Sequence, residues 1–131
     1  MTPDAAPQDL QPLVERFAKS FAAFVKAVGD AVAEAGANPE LAATPAYRSW
    51  QGKALPLLQR ENAALEAALA QFQAGDIHPV LISAEDKRGL AKDMDGFPLT
   101  FAGAEFAQIL GDLRTAVVRS ACRLCDAAGI R

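Results

Sequence analysis

The sequence predicts an all-α fold: a helical bundle of three long antiparallel helices, the second of them kinked, with a short fourth helix in the long connection before the last. Three observations carry this. Bulky apolar residues recur in steps of three and four over three separate stretches. Alanine, the best helix former, supplies 29 of the 131 residues. Capping and stop residues such as Asp9, Thr44, Gly75, Thr100 and Gly129 bracket the stretches.

The first helix is predicted over 9–35. Asp9 is placed to cap it, and Pro12 is tolerated in its first turn. Leu10, Val14, Phe17, Phe21, Phe24, Val28 and Val32 follow in steps close to a heptad. Glu15, Arg16, Lys19, Lys26, Asp30 and Glu34 occupy the other face, and Gly36 is a natural stop just past the end. Residues 1–8, with two prolines and no apolar pattern, read as a disordered tail. Residues 9–131 then form a single domain.

Asn38-Pro39 and Thr44-Pro45 each pair an N-cap residue with proline at the first helical position. They predict a turn of helix at 39–43 and a new helix from 45. Gly52 and Pro56 interrupt the pattern, so the chain either kinks there or restarts near 54. Beyond that point Leu55, Leu58, Asn62, Leu65, Leu69 and Phe72 keep helical spacing until Gly75 ends it.

Residues 76–103 form the least regular stretch. Ile77, Val80, Leu81 and Ile82 suggest a short extended segment. Ser83 and Asp86 read as a capping box that starts a short helix. Asp95-Gly96 is a turn signal, and Pro98 keeps the chain extended. The last helix is predicted over 101–128, capped by Thr100. Phe106, Leu110, Leu113, Val117, Ala121 and Leu124 form its stripe.

Composition narrows the function classes. Apolar residues make up 51% of the chain and the net charge is −3, which excludes a disordered polyelectrolyte. No apolar run nears the roughly 18 residues that span a bilayer. The start lacks a basic segment followed by an apolar one, so no secretory signal is expected. A cytoplasmic protein of bacterial type, without a membrane role, is the expectation. No segment is strongly basic, which disfavours nucleic acid as a partner, since such binding rests on phosphate neutralisation. That class survives only if the last helix presents Arg114, Arg119 and Arg123 together.

Few residues point to chemistry. Cys122 and Cys125 stand one turn apart on one helical face, as a redox pair or half a metal site would. They lie near the negative end of their helix, which works against thiolate, and only one histidine, His78, could add a ligand. Two small buried hydrophobes is the plainer interpretation. His78 has no evident nucleophile or carboxylate beside it. Asp93, Asp95 and Gly96 superficially resemble a calcium loop, but Ala91 and Ala102 occupy two required ligand positions. No catalytic set, metal centre or cofactor is expected.

Partner recognition leaves more traces. Asn62 interrupts a leucine stripe, as polar residues do where they fix helix register. Tyr47 and Trp50 are the only tyrosine and tryptophan and stand three apart, as interface anchors can. Gly103, Ala107, Gly111 and Thr115 recur every fourth residue, predicting a tight crossing at Gly111 by a helix of the same chain or of a second copy. The expected function is a non-enzymatic helical protein-interaction module, such as an adaptor, chaperone-like factor or regulatory factor, that pairs with itself as a homodimer or with another protein. The alternative is a small-molecule- or metal-binding bundle with a redox-active cysteine pair. Any ligand site is expected in 76–103, whose polar residues include His78, Lys87, Arg88, Asp93 and Asp95.

Overall fold

The computed structural model describes residues 5–93 and 103–129. Helix α1 spans Ala5–Gly36, α2 Pro39–Ala42, α3 Pro45–Ser49, α4 Leu55–Gln73, α5 His78–Asp93 and α6 Gly103–Ala127. Among the described residues there is no strand. Helices α1, α4, α5 and α6 form the bundle. Each packs on two neighbours, in the cyclic order α1, α4, α5, α6, while α1 and α5 barely meet across the diagonal. Gly29 faces Leu55, and Gln11 shares a groove with Phe72 and Gln73, so α1 and α4 run antiparallel.

The first helix begins four residues before Asp9, which therefore lies inside it and cannot cap it. Residues 5–8 belong to α1, and 1–4 lie outside the described residues. The stripe read from sequence is the buried one: Val14, Phe17, Phe21, Phe24 and Val28 are all nearly inaccessible. Gly36 is the last helical residue and is not left-handed. Its role is steric, because a Cβ there would lie 2.7 Å from the Tyr47 hydroxyl oxygen.

The two Xaa-Pro starts behave as their chemistry dictates. Asn38 Oδ1 accepts the Glu40 N–H at 3.0 Å. Thr44 Oγ1 accepts the Tyr47 N–H at 3.2 Å and donates to the Leu41 carbonyl at 2.7 Å. Orphan donors at both helix starts are thereby satisfied.

Between α3 and α4 the chain neither breaks nor restarts. Trp50–Ala54 forms one π-helical turn, and the Leu55 N–H bonds the Trp50 carbonyl five residues back. The wider turn sits just before Pro56, whose missing N–H and bulky ring disrupt regular α-geometry. The extra residue leaves Trp50, Ala54 and Leu58 all pointing into the core.

Helix α4 ends in a Schellman motif. Gly75 takes φ +105°, its N–H bonds Phe72 O, and the Asp76 N–H bonds Gln71 O. Asp76 Oδ1 then accepts the His78 N–H at 3.0 Å and starts α5. Helix α5 therefore begins at His78, and 77–82 is not a strand. Its buried positions follow helical spacing: Val80, Leu81, Ala84 and Lys87 share the core face, while Ile82 is exposed. Ser83 and Asp86 lie within the helix and form no capping box; the buried Ser83 hydroxyl oxygen has no hydrogen-bond partner. Thr100 and the Asp95-Gly96 turn lie outside the described residues.

Lys87 occupies a core position. Its side chain is 2% exposed, and its ammonium lies 2.8 Å from the Glu61 carboxylate, which is 32% exposed. The same ammonium sits 5.6 Å over the Phe21 ring. One cation thus ties α5 to both α4 and α1. Helix α6 closes the ring with Leu110, Val117, Ala121 and Leu124 buried, and Gly129 at φ +82° ends it.

Candidate functional site

An apolar recess lies between the N-terminal half of α1 and the C-terminal half of α4. There the two helices meet less intimately than α1 and α6 do. They leave a groove of about 690 Å³. Buried Val14 and Leu65 contribute to its lining, with half-buried Ala18, Leu69 and Phe72 and exposed Ala22. Around it stand Glu15 and Glu66 with Arg16 and Lys19, two acids against two bases. Alanines at 18 and 22 keep the α1 wall low, so another helix could approach its backbone closely.

Asn62 is the one sequence-predicted partner residue that lines this groove; it is half-buried on α4. Tyr47 and Trp50 do not reach the surface. Trp50 is 1% exposed and Tyr47 packs its ring against Gly36, so both anchor the π turn to α1. They present no face to a partner in this fold.

Among the described residues, no helix of the same chain crosses closely at Gly111. A Cβ there would meet nothing within 4 Å, and Thr115 is exposed with its hydroxyl donating to Gly111 O. The reason is angular. The face of α6 that buries Leu110, Val117, Ala121 and Leu124 is a different face from the small-residue row.

The cysteines lie on α6 toward α5. Both are free thiols; Cys125 is buried and Cys122 half-buried. The Arg88 guanidinium donates to Cys122 Sγ at 3.7 Å, and this contact holds the Arg88 pKa above its ordinary value. Burial pushes the Cys125 thiol pKa up, with the Arg88 charge acting the other way. Among the described residues no three His, Cys, Asp or Glu side chains converge as a metal site would require. His78 is exposed at the start of α5. Lys87 is engaged in the core and Arg88 is drawn to Cys122, while Asp76, Glu85 and Asp86 are exposed like His78. Asp95 lies outside the described residues.

A second, polar groove was not foreseen as a unit. Arg16 and Ser20 of α1 line it with Asp112, Arg119, Ser120 and Arg123 of α6. Helical spacing joins Arg119 and Arg123, but only the α1–α6 packing adds Arg16; Arg114 is not in the lining. No helix among the described residues is long and apolar enough to cross a membrane.

No family model, no curated protein and no solved structure matches this chain.

Proposed function

We propose that the protein is a non-enzymatic helical interaction module that pairs with a second copy of itself through the α1–α4 groove. The observation that carries this is the groove itself, an apolar channel bordered by two amphipathic helices. Grooves of this kind take an amphipathic helix by burying its apolar face. The border favours a like partner. Glu15, Glu66 and Lys19 flank the channel, and a two-fold axis can set the base of one copy against an acid of the other.

Light scattering on the protein at about 50 µM, well above the Kd expected of a modest interface, tests the reading. The expected mass is twice the 13.8 kDa of one chain. A monomer at every concentration would remove the self-pairing.

A second reading rests on the Arg88 to Cys122 contact, which places a fixed cation beside a half-buried thiol. It makes Cys122 and Cys125 a redox or metal-holding pair. The raised pKa of Cys125 opposes it. A reversible internal disulfide, or one tightly held metal ion found by elemental analysis, would favour it. Two unreactive thiols without metal would end it.

A further inference from the structure

We propose that the α1–α6 groove is a binding site for a phosphomonoester dianion carried on a small molecule. Three guanidinium groups from two helices line one recess of about 450 Å³, within the size range of small-ligand sites. Arg16 comes from α1, and Arg119 and Arg123 from successive turns of α6. None of the three forms an ion pair with any described residue. Among the described residues, the only carboxylate lining the recess is Asp112. Three cations and one anion leave the groove at +2, on a chain whose net charge is −3.

A phosphomonoester carries about −1.5 to −2 at neutral pH and so neutralises that excess. A phosphodiester or a carboxylate, with one charge each, does not. Guanidinium is also the right donor. Its planar fork presents paired N–H groups that match two phosphate oxygens at once. The hydroxyls of the groove are spent: Ser20 donates to Arg16 O, Thr115 to Gly111 O and Ser120 to Ala116 O. The arginines therefore carry the recognition. Arg16 is placed by α1 packing on α6, so the site exists only in the folded bundle.

The test is a phosphorus NMR titration of the full chain with phenyl phosphate, at fixed ionic strength in chloride. Arg119 and Arg123 are exposed, so the double variant Arg119→Gln/Arg123→Gln should keep the wild-type circular dichroism. The site predicts saturable binding at or below about 1 mM near pH 7.5, weakened about tenfold or more in that variant. Lys53→Gln, which removes one charge at an exposed position of the π turn, leaves binding unchanged. Affinity should fall several-fold by about pH 5, as the phosphate gains its second proton near pH 6. Dimethyl phosphate, a diester, should bind much more weakly. A short phosphoserine peptide forms the second arm. Tighter binding than phenyl phosphate, lost in the double variant, would assign the same dianion to a protein source and overturn the small-molecule assignment. No saturation by about 10 mM, equal binding by the double variant, or equal binding of the diester would overturn the site itself.

Discussion

Single positions show where local chemistry decides and where packing overrides it. Gly111 looks like a helix-crossing residue in sequence, yet a Cβ there meets open space. Alanine at a helix interior without steric conflict is favoured over glycine by about 1 kcal/mol. Gly111→Ala should therefore raise stability by about that amount in urea unfolding, with no change in oligomer mass. A loss of stability would restore the close crossing. Lys87 and Glu61 make an asymmetric pair. Removing the half-exposed carboxylate leaves a cation that is almost wholly buried, while removing the cation leaves a carboxylate that water can reach. Glu61→Ala should cost about 2–3 kcal/mol, whereas Lys87→Met, which keeps the volume, should change stability by less than about 1 kcal/mol. Equal costs, or the reverse order, would mean that Lys87 finds its compensation elsewhere.

The elements differ in how openly the sequence announces them. Helix α1 is legible because Val14, Phe17, Phe21, Phe24 and Val28 repeat at helical spacing with no competing signal. Helix α6 is legible for the same reason. Helix α5 is not, because Ile77, Val80, Leu81 and Ile82 look like a strand, and its core face includes a lysine. What settles the matter is the three-and-four spacing together with the cap at its start. The Asp76 carboxylate holds the His78 N–H, so Asp76→Ala should cost about 1 kcal/mol and loosen hydrogen-exchange protection in the first turn of α5. Unchanged protection there would show that burial of Val80 and Leu81 alone fixes the start. The π turn was half legible. Gly52 and Pro56 mark an irregularity, but its form depends on Trp50, Ala54 and Leu58 all needing the same core.

At the scale of the whole molecule, both candidate sites are products of helix assembly. Asn62 hints at the α1–α4 groove, but the opening between the two helices is a property of their packing and leaves no trace in either helix alone. Likewise Arg119 and Arg123 pair by spacing, while Arg16 joins them from about a hundred residues away once α1 lies against α6. The apolar content points the same way. Twenty-nine alanines form helix but fill little volume, and the buried core draws its bulk from Phe17, Phe21, Phe24, Trp50, Leu58, Leu65 and Leu124. Part of the remaining apolar surface borders the α1–α4 groove, where Ala18, Leu69 and Phe72 are only partly covered. A second copy would cover them.

The most direct test places a charge in that channel without disturbing the core. Ala22 lines the groove and is exposed, so Ala22→Glu should leave the helical circular dichroism of the monomer unchanged. Light scattering on wild type and variant side by side then decides. The account predicts a dimer for wild type and the 13.8 kDa monomer for Ala22→Glu at the same concentration. A wild-type monomer, or a variant that still dimerises as tightly, would contradict it.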